Sequence, residues 1–414
     1  MNSHIQPHRS SSEFVKQTKG GGLSLRLKNQ GAGATVPAYG LSSSVSGTVE
    51  VSKPEGVTSV EVKVEGTLFL LEIAGRGEDT STLCLCKSML WVKNRSEDTQ
   101  CPSSLPFSLA LPTTFTHAGR EYPLPPTYES KLSGLPGFRA NIEYNVGVTA
   151  IRPMPVPEKV KSVFKRDELS VFTPFVYYPR SRPSVPIPPP LIAHHSRKGF
   201  LEMPLQWRAF SSTIKAREGT NHADIETKIY LPLTRIFSMG KPIPFHLTFA
   251  CPLSPAGMQV FAPLAPVTGL YSPRKHVTRI QLMRQTIVDV RDDTSRGTKD
   301  NIWRSDCIGE GIFQEAGSGP DWRSYNGEIF VSDDVRVSDF KAGGLSIRDF
   351  VVFSISPSDI VRAPFREMRQ VLPVRLVTDL WTEDGSHVGF VSTAYSTPSS
   401  SEELGLAPEL QYQR

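Results

Sequence analysis

Apolar residues recur at every second position through much of this chain, and that period leaves few folds open. Leu23, Leu25 and Leu27 alternate with Ser24, Arg26 and Lys28. Val60, Val62 and Val64 alternate with Glu61, Lys63 and Glu65, and Gly66 ends the run. Ile142, Tyr144, Val146 and Val148 follow the same rule. Successive side chains of a strand point to opposite faces, so each run is a strand with one buried and one wet face. Gly47, Pro54-Glu55-Gly56 and Gly75-Arg76-Gly77 supply turns between such runs. No amphipathic helix stands out in the first half. The 35 prolines among 414 residues exceed the ordinary usage of about 5% and favour short strands and ordered turns over helices.

A second set of strand patterns follows a proline-dense stretch. Arg152 to Lys198 includes Arg152-Pro153-Met154-Pro155-Val156-Pro157, an extended run from Leu169 to Tyr178, and Pro188-Pro189-Pro190. Proline at this density forbids helix and interior strand, and gives a stiff, extended connection. Beyond it, Asp224 to Leu231, Pro244 to Ala250, residues 277–291, Ile329 with Val331, Phe350 to Ile355 and Val371 to Val377 read as strands. Each half then holds about seven short strands at sandwich spacing. The expected fold is all-β: two tandem immunoglobulin-like β-sandwiches joined by a Pro-rich hinge. The expected boundaries are a disordered 1–21, sandwiches over 22–182 and 199–380, a linker over 183–198 and a disordered tail over 381–414.

Composition narrows the function classes. Apolar content of 38% and charged content of 21% fit a globular protein large enough for two cores. A net charge of +5 gives no argument for nucleic acid as a partner. Cys84, Cys86, Cys101, Cys251 and Cys307 are too few and too scattered for a disulfide scaffold, and they are expected as reduced thiols. No apolar run reaches the ~18 residues of a membrane helix, and the first twenty residues lack a secretory apolar core. A cytosolic protein with at most peripheral membrane contact is expected. No metal or cofactor is expected: His194-His195 has no nearby carboxylate or cysteine and reads as a linker pair. Neither a Gly-x-Ser-x-Gly elbow, a phosphate loop nor a His-Glu-x-x-His helix is present, so no enzymatic activity is expected.

One short motif carries binding chemistry. Pro125-Pro126-Thr127-Tyr128 spells Pro-Pro-x-Tyr, the ligand of WW domains. Adjacent prolines pre-set a polyproline II ridge, and the tyrosine lies one three-residue turn from the first proline on the same side. Two readings stand side by side. Pro125, Pro126 and Tyr128 engage a WW domain, or the segment is an inter-strand loop in which Tyr128 packs on the sandwich. A second group is basic: Arg274, Lys275, Arg279, Arg284 and Arg291. On a strand from Val277, Arg279 and Arg291 share one face and Arg284 takes the other. Such a surface suits phosphorylated tails or anionic lipid heads; the alternative is a solvated strand face. Arg180, Arg182, Arg197 and Lys198 flank the hinge and read as solvated linker residues.

The ordered set of patterns resembles the arrestin family, in particular the arrestin-like proteins of fungi. Gly47-Thr48-Val49-Glu50-Val51 is followed by Val57 to Gly66, then Leu105-Pro106-Phe107-Ser108-Leu109 with Leu111-Pro112, then Ile142-Glu143-Tyr144-Asn145-Val146. That order is similar to the family's N-terminal domain. Ile229 to Phe249, with Gly240-Lys241-Pro242-Ile243 inside it, is similar to the C-terminal domain. The resemblance covers about residues 22–378. It implies no catalysis and an adaptor that links a cytoplasmic segment of a transporter or receptor to a WW-domain, HECT-class ubiquitin ligase for endocytosis, at the plasma membrane or endosomes. The alternative it leaves open is an arrestin-fold scaffold or cargo-sorting module that recruits no ligase. Family adaptors usually carry Pro-Pro-x-Tyr in flexible tails; here the motif lies inside the first sandwich.

Overall fold

A computed structural model describes residues 12–31, 33–73, 77–94, 99–153, 166–191, 205–251, 261, 263–264, 277–290, 302–357, 363–383 and 389–391. Every regular element among them is a strand. The chain divides into two compact units: Met1–Arg180 with Thr286–Arg304 and Phe340–Ile347, and Ser181–Gln285 with Ser305–Asp339 and Arg348–Arg414.

The strands begin with β1 (Ser12–Gln17), β2 (Leu23–Gln30), β3 (Ala38–Tyr39), β4 (Ser44–Val51), β5 (Ser59–Ile73) and β6 (Glu78–Val92). They continue with β7 (Ser104–Ala110), β8 (Thr114–His117), β9 (Arg120–Pro123), β10 (Tyr128–Leu132), β11 (Gly137–Pro153) and β12 (Arg166–Tyr177). One sheet of the first unit has the order β1-β2-β4-β7, and the other β3-β12-β11-β5-β6, with β10 also on β11. Leu23, Leu25, Leu27, Val45 and Val49 of the first sheet share one buried cluster with Val60, Val62, Val64, Ile142, Tyr144, Val146 and Val148 of the second. The two inner faces therefore make a sandwich core, as the period-2 pattern requires. Along β5, buried and half-buried positions alternate without a break from Ser59 to Phe69.

Three local expectations differ from the structure. Ser12–Gln17, expected to be disordered, pairs antiparallel with β2 through Val15↔Arg26 and Lys16↔Leu25; its polar composition suits an edge strand. Gly66 does not end its strand. It lies opposite Tyr144, where a Cβ would drive into the Tyr144 ring, so glycine makes room for an aromatic neighbour and β5 continues to Ile73. Third, 286–304 and 340–347, expected in the second sandwich, belong to the first unit. Val288, Ile302, Ala342, Leu345 and Ile347 are buried in its core cluster. Alternation shows that a strand buries one face; it does not say in which core.

The remaining strands are β13 (Ser181–Pro183), β14 (Trp207–Ile214), β15 (Ile225–Pro232), β16 (Ile236–Ser238), β17 (Ile243–Ala250) and β18 (Thr278–Val288). After them come β19 (Ile302–Ser318), β20 (Trp322–Val331), β21 (Phe340–Ala342), β22 (Leu345–Ile355), β23 (Met368–Val377) and β24 (Gly389–Val391). The main sheet of the second unit runs β14-β15-β17-β20-β19-β18-β22-β23-β16. It curls on itself. Phe249 of β17 and Phe353 of β22, well apart in sheet order, bring their rings to 6.4 Å. Gln370 of β23 donates to the Ser211 carbonyl of β14 at 3.3 Å. The enclosed core holds Ile229, Phe245, Leu247, Phe249, Ile280, Leu282, Tyr325 and Val351. Gly389–Val391, in the expected tail, pairs in parallel with β13, which straddles the expected boundary between first sandwich and linker.

Candidate functional site

The Pro-Pro-x-Tyr segment connects β9 to β10 inside the first unit. Pro125 and Pro126 are both buried, and Leu124 before them is 2% exposed. Tyr144 points inward from β11 among valines, where its hydroxyl needs a partner; it donates to the Pro125 carbonyl at 2.6 Å. Burial pushes the Tyr144 phenol well above its ordinary range, so this donor keeps its proton. Thr127 is tied twice to β12: its N–H donates to the Tyr177 carbonyl at 2.9 Å, and its hydroxyl accepts from the Tyr177 N–H at 2.9 Å. Tyr128 is half-buried. It opens β10 opposite Ile142, meets the Phe340 ring edge-on at 5.2 Å, and sets its hydroxyl 3.5 Å from that of Thr286.

A WW domain grips proline rings from outside and needs the tyrosine free. In this arrangement the prolines face the core, and Thr127 and Tyr128 are spent on strand contacts. Pre-set φ and the missing N–H, which make prolines a cheap ligand, also make them a stiff corner between strands. None of Tyr144, Tyr177, Thr286 and Phe340 is singled out by the sequence as a partner of this motif. Tyr144 alone carries a signal, as a hydroxyl placed in the buried phase of a strand.

The basic group does not form one surface among the described residues. Arg274, Lys275 and Arg291 lie outside them. Arg279 and Arg284 both lie on β18, where burial alternates residue by residue, and they face opposite ways, as their odd spacing predicts. On the outer face, the Arg279 Nε lies 2.9 Å from the Glu310 carboxylate, with side chains 20% and 56% exposed; such a pair adds little stability. Arg284 points inward. Its Nε and Nη2 donate to the two Asp349 carboxylate oxygens at 2.8 and 2.9 Å, with side chains 8% and 0% exposed. Arg284 is therefore an interior ion-pair partner, not a residue offered to a phosphorylated tail or lipid head. Asp349 carries the signal that points to it: one carboxylate set against the apolar run Phe350–Val351–Val352–Phe353 needs a cation inside.

Among the hinge residues, Arg180 is exposed, whereas Arg182 is 2% exposed and donates to the Thr382 hydroxyl at 2.8 Å. Arg197, Lys198 and His194-His195 lie outside the described residues. All five cysteines are free thiols. Cys84 packs beside Tyr144 and Tyr177, and burial pushes its thiol up to about 12. Among the described residues, no three His, Cys, Asp or Glu side chains gather where a metal could be held, and no helix is long and apolar enough to cross a membrane.

No family model matches this chain, and no curated protein matches its sequence.

Proposed function

We propose that this chain is a non-enzymatic, arrestin-like scaffold or cargo-sorting module. In this role it holds a cytoplasmic segment of a membrane transporter or receptor without offering Pro125–Tyr128 to a ubiquitin ligase. The arrestin-like part rests on the ordered sequence patterns and is consistent with the all-β architecture. The part concerning the ligase rests on one observation: Pro125 and Pro126 are buried, and the Pro125 carbonyl is held by the Tyr144 hydroxyl at 2.6 Å. Cargo recognition would use exposed strand surfaces and edges, where an extended peptide adds backbone hydrogen bonds. A cytoplasmic location belongs to the same proposal.

The ligase-adaptor reading makes a different demand, since it requires residues 125–128 to leave the sandwich. Calorimetry of isolated WW domains separates the two, using the full chain, its Tyr128→Ala variant and a free peptide of residues 120–133. The scaffold reading expects the peptide to bind and the full chain not to. It also expects Tyr128→Ala to lower the melting temperature by several degrees through lost packing on Phe340. If the full chain binds as tightly as the peptide, and Tyr128→Ala abolishes binding with an unchanged melt, the ligase adaptor replaces it.

A further inference from the structure

The second unit carries an aromatic surface on the side of its sheet away from the main core. Ala209 of β14 lies opposite Tyr230 of β15, and Trp207 lies opposite Pro232. Trp207 and Tyr230 are thus diagonal neighbours on one face. That face is not the one of Ile229 and Leu231, which belong to the main core. Behind Tyr230, His246 of β17 sits opposite it in register, with ring centroids 5.6 Å apart. His246 is fully buried, and Asn326 of β20 lies 2.6 Å from its Nδ1. The row is a firm platform, with Trp207 at its rim.

Pro189 and Leu191 meet this platform, while Ile187 before them packs against the main core. Leu191, 4% exposed, packs with Trp207 and Tyr230 in a cluster of their own. The Trp207 indole N–H donates to the Pro189 carbonyl at 3.3 Å. Pro188 is half-buried, while Pro189 and Pro190 face solvent. Pro188 and Leu191 are three residues apart, the spacing of one polyproline II turn, and Leu191 is the residue that packs on the platform. An aromatic groove with an indole donor aimed at a carbonyl, filled by a proline ridge with an aliphatic anchor, is the chemistry by which proline-rich segments are recognised. Here reader and ligand belong to the same unit of one chain.

We infer that the Trp207–Tyr230 surface is a docking groove for proline-rich peptides of the Pro-x-x-Leu kind, occupied in cis by Pro188–Leu191. A partner's proline-rich segment enters by displacing this strap. The strap's hold is slight for a structural element. Pro188, Pro189 and Pro190 have no N–H to pair with a strand, and the indole bond is at the long end of the hydrogen-bond range. Because strap and platform belong to one chain, the strap competes intramolecularly, so the groove stays closed to weak competitors. This inference does not depend on the arrestin-like reading.

The test is calorimetric titration of the full chain with a synthetic peptide of residues 183–191. Two variants unseat the strap by different means: Leu191→Asp, and a triple variant with Pro188→Gly, Pro189→Gly and Pro190→Gly, which leaves the platform untouched. The expected result is at least tenfold tighter peptide binding by the strap variants than by the wild type. Adding Trp207→Phe, which keeps a ring and removes the N–H, should reverse most of that gain. Circular dichroism melts accompany each titration. If a folded strap variant binds no better than wild type, the groove does not exist as a docking site. If both strap variants unfold the chain, the strap is a structural strut and the inference fails equally.

Discussion

Removing Asp349 tests the interior of the second unit more sharply than any surface change. Asp349 is fully buried, and both its carboxylate oxygens accept from Arg284. Asp349→Ala removes the carboxylate that takes both Nε and Nη2 of the buried Arg284 guanidinium. Breaking a buried pair from one side costs about 3–5 kcal/mol, because the remaining charge stays desolvated. For a unit of this size each kcal/mol moves the melting temperature by about 2–4 °C, so a fall of roughly 6–20 °C is expected. Arg284→Met should act similarly, by stranding the carboxylate. The double variant Arg284→Met with Asp349→Leu removes both charges. It should recover most of the loss, since apolar replacements of buried pairs are often neutral or better. Thermal melts followed by circular dichroism give the three values, and the cycle gives the coupling. Additive losses, or an Asp349→Ala melt within 2 °C of wild type, would refute a desolvated pair.

Three further outcomes follow from other buried groups. Burial lowers the His246 pKa below its ordinary value of about 6.5. The unfolded chain therefore binds more protons than the folded one as pH falls below about 6.5, and stability falls with it; His246→Gln should flatten the melting temperature between pH 7.5 and 5. Gly47 pairs with Leu27 across β2 and β4, and a Cβ there would press into the Arg26 carbonyl oxygen. Gly47→Ala should destabilise the first unit by about 1–3 kcal/mol through forced strand displacement, seen as an earlier melt. With its thiol near 12, Cys84 holds about one thiolate in ten thousand at pH 8. Iodoacetamide at that pH should label exposed Cys307 and leave Cys84 unmodified until denaturant is added, as mass spectrometry would show.

The strands were legible because burial on one face imposes a period of two on the residues themselves. Leu23, Leu25 and Leu27, then Ile142, Tyr144, Val146 and Val148, and the phase of Ile280, Leu282 and Val288 are buried as the pattern predicts, although Ser24, expected on the wet face, is buried too. The motifs were less legible, because a motif records which residue types are present and not which way they face. Arg284 shows the difference. Its parity on β18 correctly turns it away from Arg279, yet nothing local states that the inward side holds Asp349, 65 residues further on. The membership of Val288 and Ile302 in the first core was hidden for the same reason: hydrophobic alternation is local, and the choice between two cores is made by long-range packing.

Prolines sharpen the point, because one physical property serves two opposite ends. A fixed φ and an absent N–H make a segment ready to be gripped by another protein, and equally ready to turn a corner between strands. Residues 125–126 have been drawn into the core, with a buried tyrosine hydroxyl on the Pro125 carbonyl. Residues 189–190 stand outside, with an indole on the Pro189 carbonyl and their rings in solvent. The first segment spells a WW ligand and is held as a strut; the second, whose Pro189 ends the Pro-x-x-Pro string Pro186-Ile187-Pro188-Pro189, lies as a ligand lies. What separates them is where the neighbouring strands put their aromatic donors: Tyr144 reaches up from inside a sandwich, Trp207 reaches out from a sheet's far face. Accessibility, and with it the capacity to recruit a partner, is thus set by the donor's side of the sheet and not by the proline string.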